Sequence, residues 1–272
     1  MSNAGPLSGQ IALVTGSTSG LGEAVAHRFV DDGVRGIVVT GRDVPRGEAV
    51  AAELRTKGAE VVFAPADLAS ADGPTAVMDA LETTFGTINT LVNAAGLSSR
   101  GSIVDTSIDL FDALIAVNVR APFVLMQGAI DIMRRNQIEG SVINIGSVAA
   151  YGALPFLAPY ATSKGALMAL TKNVAFAMQR DRIRVNQLNI GWMNTPTEHR
   201  IQTEVHGQPE NWVEIAGATL PFGRLLEPAE VAAAVAWLAS DASGMMTGAI
   251  IDFDQSVVGA GMPPFVGPDE VP

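Results

Sequence analysis

Ile11-Ala12-Leu13-Val14-Thr15-Gly16-Ser17-Thr18-Ser19-Gly20-Leu21-Gly22 joins a short apolar run to a glycine-rich turn, after which apolar residues recur at helical spacing over 21–30. Apolar residues without polar alternation read as a strand buried on both faces, and glycines ahead of a helical period read as a tight strand-to-helix turn. The unit then repeats. Strands are predicted over 36–40, 60–64, 87–93, 141–145 and 183–188, and helices over 45–57, 71–85, 109–135 and 159–180, the last with Pro159 tolerated in its first turn. Such an alternation requires a parallel sheet covered on both faces. The expected fold is α/β: a single Rossmann-like domain over 1–272, with a central parallel sheet and helices on both faces. Beyond residue 190 the rhythm breaks. Residues 192–224, holding Trp192, Trp212, His199, His206 and several prolines, are predicted as a small helical or irregular lobe. A helix over 229–239 and a strand over 249–253 follow, and 259–272 is a Gly- and Pro-containing tail without periodicity.

Composition removes several classes of function. With 28 acidic against 17 basic residues the formal charge is -11, a poor match for a phosphate backbone, so nucleic acid is not an expected partner. The chain has no cysteine, hence no disulfide, thiolate nucleophile or cysteine-held metal, and it suits a reducing compartment. His27, His199 and His206 form no compact ligand pattern, so no metal is expected. No stretch approaches the roughly 18 uninterrupted apolar residues of a membrane span, and residues 1–9 lack a basic and apolar leader pattern. A cytoplasmic protein with no membrane partner is the expectation.

The turn from Thr15 to Gly22 suits a dinucleotide. Glycines there let the backbone approach a pyrophosphate, and the N–H groups opening the next helix favour its charge. Gly16, Ser17, Ser19, Gly20, Leu21 and Gly22 are the candidate contacts. No Lys-Ser or Lys-Thr pair follows the turn, as a nucleotide triphosphatase would need. At the end of the second predicted strand, Gly41-Arg42 offers a guanidinium where an acidic residue would hold the ribose hydroxyls of NAD, which favours NADP and leaves NAD open. Asp43 could neutralise Arg42 or turn it outward.

Tyr160 and Lys164 lie four apart at the start of a predicted helix and so share a face. A free phenol has a pKa of about 10, and a nearby ammonium favours its ionised form, which suits proton exchange with an alcohol or carbonyl. Ser147, after the fifth predicted strand, could orient the substrate oxygen, and Asn118 could hold a water relaying protons toward Lys164. Each residue alone could instead pack, cap or face solvent. Together they follow successive sheet elements, at the edge where such folds bind ligands.

With these motifs in order, the chain resembles the classical short-chain dehydrogenase/reductase family over nearly its whole length. The resemblance rests on the glycine turn, Asp67-Leu68, Asn93-Ala94-Ala95-Gly96, Asn118-Val119-Arg120-Ala121, Ser147 and Tyr160-Ala161-Thr162-Ser163-Lys164, with Arg184-Val185-Asn186, Asn189-Ile190-Gly191 and Thr195 further on. It implies an NAD(P)-dependent oxidoreductase with Asn118, Ser147, Tyr160 and Lys164 as the catalytic set. It also implies cofactor contacts by Asp67, Leu68, Asn93, Ala94, Gly96, Tyr160, Lys164, Ile190 and Thr195, and a homo-oligomer, commonly a tetramer. Two departures stand out: Ile190 replaces a common proline, and Phe253-Asp254 replaces paired glycines after Asp252. Ser98, Ala149, Tyr151, Trp192, Met193 and Glu198 are candidate pocket residues whose mixture of polar groups and rings suits a small hydroxylated or carbonyl substrate, a sugar or polyol first. Another small ketone, an acyl-carrier-bound ketoester and a non-enzymatic nicotinamide-binding scaffold are the alternatives.

Overall fold

A computed structural model describes residues 5–152 and 154–258, so the expected tail over 259–272 lies outside the described residues. Seven strands, β1 (Ile11–Val14), β2 (Gly36–Gly41), β3 (Glu60–Pro65), β4 (Thr90–Asn93), β5 (Ser141–Ser147), β6 (Arg184–Ile190) and β7 (Ile250–Phe253), form one sheet in the order β3-β2-β1-β4-β5-β6-β7. Every neighbouring pair is parallel. Successive side chains of a strand face opposite sides, and β1 shows the result: Ala12 and Val14 enter one core cluster, Leu13 the other. The first core packs Val25, Phe29 and Val235 of α1 (Gly20–Asp31) and α9 (Pro228–Ala239), with Leu54 of α2 (Val44–Thr56), against the sheet. The second packs Val77 and Leu81 of α3 (Gly73–Phe85) with Leu125, Ala129 and Met133 of α5 (Ala121–Arg135).

The predicted helix over 109–135 is one 28-residue rod, Ile108–Arg135, built as α4 (Ile108–Ile115), a π-helical turn (Ala116–Arg120) and α5. By length and hydropathy it resembles a membrane span, but Ala121, Leu125, Met126, Ala129, Ile132 and Met133 line its buried face in the core. The wide turn carries Asn118. The other long helix, α6 (Ala158–Ala177), ends three residues before the predicted limit and gives way to a 3₁₀ turn over Gln179–Asp181. The predicted strand over 87–93 pairs only from Thr90. Residues 192–224 are largely helical, with α7 (Pro196–Arg200), a second π-helical turn (Ile201–Val205) and α8 (Trp212–Gly217).

Beneath the apolar reading of the strands runs a polar chain. Asn93 Nδ2 donates to Asn144 Oδ1 at 2.8 Å, and Asn144 Nδ2 donates to Thr171 Oγ1 at 2.9 Å. Thr171 Oγ1 donates to Gln187 Oε1 at 3.0 Å, Gln187 Nε2 to Asn189 Oδ1 at 2.7 Å, and Asn189 Nδ2 to Asp252 Oδ1 at 3.1 Å. Asn93, Asn144, Thr171, Gln187 and Asn189 are all buried, so each needs the next to offset its desolvation. The chain ties β4, β5, α6, β6 and β7 together on one side of the sheet.

Candidate active site

Strand order reverses between β1 and β4, which opens a crevice at the carboxyl ends of the strands. Thr15 closes its floor: its buried Oγ1 accepts the N–H of both Ala94 and Ala95 at 3.0 Å. Gly16 has φ of 65°, and a Cβ there would stand 2.8 Å from the Ala95 Cα, so the turn can pass this close only as glycine. Ser19, the N-cap of α1, makes no side-chain cap, which leaves the opening N–H groups of the helix directed at the crevice.

A cavity of ≈ 470 Å³ extends from this turn in both directions. At one end lie Gly41, Arg42, Asp67 and Leu68; the middle is walled by Gly16, Ser19, Gly20, Leu21, Gly22, Ala94 and Gly96; the other end reaches Tyr160, Lys164, Ile190 and Thr195. Thr18 also lines it and covers Gly41 so closely that a Cβ on Gly41 would meet its Oγ1 at 2.5 Å. Two expected cofactor contacts are turned away. Ser17 Oγ donates to Val14 O at 2.7 Å and accepts Thr40 N–H at 2.9 Å, buckling β1 to β2, and Asn93 is committed to the polar chain. Asp43 does not neutralise Arg42: its carboxylate caps α2, accepting Arg46 N–H at 3.1 Å, and Arg42 forms no ion pair among the described residues. A long crevice with a helix N-terminus at its waist and a guanidinium at one end fits a phosphorylated dinucleotide.

At the far end, Tyr160 and Lys164 occupy successive turns of α6, with the Lys164 Nζ 5.9 Å from the phenol ring centroid. Lys164 is buried, and its Nζ donates to Ile145 O at 2.8 Å. A Cβ on Gly96 would stand 3.6 Å from this Nζ and 3.7 Å from Asn118 Oδ1, so glycine leaves the cavity open above both. Asn118 is fully engaged at its amide nitrogen, donating to Leu97 O and Ser163 Oγ, each at 2.9 Å, while its Oδ1 accepts Leu97 N–H at 2.9 Å. That leaves one lone pair for a water. Ser147 ends β5, where Ala149 N–H fixes its Oγ at 3.1 Å, and its hydroxyl acts on the Tyr160 phenol. Burial pushes the phenol up from its ordinary range, the Ser147 hydroxyl opposes this, and the Glu198 carboxylate adds to the rise. Burial also pulls Lys164 down, to about 8.

Of the candidate pocket residues, Ser98, Met193 and Glu198 line the cavity. Trp192 reaches it indirectly, through its indole N–H on Glu198. Ala149 is buried behind Ser147, and Tyr151 points to Asp252, donating to its Oδ1 at 3.0 Å.

Residues 16–256 match a family described as enoyl-(acyl carrier protein) reductase. The chain is 32% identical over 246 residues to an NADP-dependent (R)-specific alcohol dehydrogenase of Lentilactobacillus kefiri, covering 89% of this chain and 94% of that protein. It belongs to the short-chain dehydrogenase/reductase family. Glucose 1-dehydrogenase 2 of Bacillus subtilis is 31% identical across 91% of this chain and 94% of its own. Among solved structures, L-sorbose reductase from Gluconobacter frateurii, complexed with NADPH and L-sorbose, superposes with a TM-score of 0.87 at 29% identity, covering 93% of this chain and 98% of that one. The protein is accordingly an NAD(P)-dependent oxidoreductase of small alcohols and carbonyl compounds.

Both departures from the family pattern have structural consequences. Ile190 carries β6 one pair further, opposite Ser147 and Phe253, where a proline would lack the ladder N–H. Phe253 packs on the first core, and Asp254 folds over Gly191 so tightly that a Cβ on Gly191 would overlap its carboxylate.

The depressed Lys164 makes the folded, cofactor-free chain bind fewer protons than the unfolded chain between pH 8 and its ordinary value of 10.5. Stability therefore rises with pH across that window, by on the order of 3 kcal/mol in total. Urea unfolding of wild type and Lys164→Met through this range should show the rise in wild type and its loss in the variant.

Proposed function

We propose that the protein is an NADP-dependent oxidoreductase of a small polyhydroxylated carbonyl or alcohol, a sugar or polyol. The observation carrying the reading is the Tyr160 phenol, with the Ser147 hydroxyl and the Lys164 ammonium beside it, at one end of a crevice whose other end presents Arg42, which has no carboxylate partner among the described residues. Likeness to a sorbose reductase and a glucose dehydrogenase supports the substrate class, and the relatives whose names carry NADP or NADPH support the cofactor.

The bound nicotinamide supplies the two-electron chemistry. In carbonyl reduction, Tyr160 donates its phenolic proton to the carbonyl oxygen, which Ser147 holds by hydrogen bonding; in alcohol oxidation the same phenolate takes the proton back. Lys164, when protonated, favours that phenolate across 5.9 Å to the ring centroid. Asn118 fixes Leu97 and Ser163 around it and offers its remaining lone pair to a relay water. At the opposite end Arg42 would hold the phosphate that distinguishes NADP, and Asp67 and Leu68, which line the same end, would hold the adenine. Residues 192–224 form the substrate lobe.

The assembly is a homotetramer, and the compartment the cytoplasm, in keeping with the cysteine-free chain. Phe123 of α5 and Phe176 of α6 are exposed at 44% and 76%, an apolar cost that a symmetric pairing of these helices relieves. α9 offers less for such a pairing, because it buries Val231, Val235 and Leu238 inside its own chain and leaves Trp237 outward.

Tyr160→Phe should retain NADP binding and lose about two to four orders of magnitude in turnover of any substrate the wild type accepts; near-normal turnover would remove Tyr160 from the chemistry. Arg42→Ala should weaken NADP by about tenfold to a hundredfold in fluorescence titration and leave NAD little changed, the scale of one charge-assisted contact. Equal losses for both would assign Arg42 to generic binding. Light scattering across a dilution series should return four times the 28.2 kDa chain mass, and a single-chain mass in active protein would overturn the tetramer.

A further inference from the structure

Glu198 stands where the substrate lobe meets the cavity, and its carboxylate is held in an asymmetric way. The N-cap hydroxyl of Thr195 accepts the Glu198 N–H at 3.1 Å, fixing its backbone at the start of α7. Its Oε1 accepts two hydrogen bonds, from Trp192 Nε1 at 2.9 Å and from the buried Gln202 Nε2 at 2.7 Å. The Arg100 guanidinium lies 4.0 Å from the same oxygen. Among the described residues Oε2 has no hydrogen-bond partner, although the side chain is only 18% exposed and lines the cavity that holds Tyr160. The carboxylate is close enough to Tyr160 to act on the phenol electrostatically.

A carboxylate oxygen can accept two hydrogen bonds, so an open acceptor on a side chain lining the same cavity as the proton donor has a defined use. We infer that Glu198 Oε2 is a specificity-determining acceptor that reads a substrate hydroxyl next to the reacting carbon, selecting neutral polyhydroxylated substrates over unhydroxylated and anionic ones. This rests on the polyol reading given above. Hydroxyl is the fitting donor rather than an ammonium, because Arg100 already stands beside the carboxylate and balances part of its charge. A substrate carboxylate would face the Glu198 carboxylate and be repelled. Trp192 and Gln202 act as positioning residues: by occupying Oε1 they leave Oε2 as the open acceptor.

The geometry makes Glu198→Gln informative. Trp192 and Gln202 both donate, so the amide oxygen must take the Oε1 place and the NH₂ the Oε2 place, replacing the open acceptor by a donor. Glu198→Leu removes both. The experiment measures kcat/KM with NADPH for three six-carbon probes: a ketohexose such as L-sorbose, 2-hexanone, and a hexulosonate carrying a carboxylate. NADPH titration checks that each variant retains the cofactor site.

Wild type should favour the ketohexose over 2-hexanone by about 100-fold or more, as a site built to bond a hydroxyl discriminates against its absence, and over the hexulosonate by about tenfold or more. Glu198→Gln should shrink both ratios by about tenfold, and Glu198→Leu should nearly abolish the preference for hydroxyls. Ratios unchanged in both NADPH-binding variants would overturn the inference. A wild type that reduces 2-hexanone as well as the ketohexose would overturn it together with the polyol reading, leaving carbonyl reduction intact. A wild type that binds NADPH and turns over none of the probes would remove the proposed substrate class outright, and Glu198's role with it.

Discussion

The hydroxyl of Thr15 accepts the N–H groups of Ala94 and Ala95, and through it the turn after β1 is fastened to the turn after β4. Those turns are the two lips of the crevice that strand order creates, and their separation sets the width of everything bound between them. Gly16 lets the lips come this close, because any Cβ would strike Ala95. Gly22 plays the matching part behind: a Cβ there would stand 2.3 Å from the Gly16 carbonyl oxygen, so α1 seats directly against the turn. One buried hydroxyl and two missing side chains thus fix where a helix N-terminus points.

The polar chain from Asn93 to Asp252 extends that constraint sideways. The Asn93 side chain does not line the cavity because it begins the chain, and its Oδ1 has no partner among the described residues. The far end reaches the 3₁₀ turn after Ser147, where Tyr151 closes on Asp252. The strands that bear the cofactor wall and the serine are therefore bonded through side chains as well as backbone. Asp252 serves here as an acceptor for two donors, Tyr151 and Asn189, which gives this stretch a role independent of any glycine pair after it.

Much of this was legible because it rests on backbone period and fixed spacing. Apolar runs and helical repeats placed all seven strands, and Tyr160-x-x-x-Lys164 on one helix face needs only the period of 3.6. What escaped depends on where single side chains point. Within Thr15 to Gly22, Ser17 turns into the sheet while its neighbour Thr18 lines the cavity, and nothing in the composition of the turn separates them. The π-helical turn leaves no Pro or Gly signature in Ala116–Arg120. Asp43 as a helix cap was foreseeable from its place one residue before α2, and that role answers whether it would neutralise Arg42. The lobe defeated periodicity because α7 and α8 are only five and six residues long, under two turns each.

Lys164 shows why the site is expensive to fold and worth retaining. A buried ammonium with one backbone acceptor among the described residues is poorly compensated, and burial holds its pKa down, to about 8. An apolar residue at this position would fold with less penalty. The same desolvation raises Tyr160, so the cofactor-free cavity disfavours charge on both members of the pair. Neither shift is a tuned state by itself. Charge placed between them changes the balance, because both groups are desolvated. In the proposed NADP complex, phosphates at α1 and Arg42 would contribute negative charge that favours the Lys164 ammonium, and the ammonium would in turn favour the phenolate.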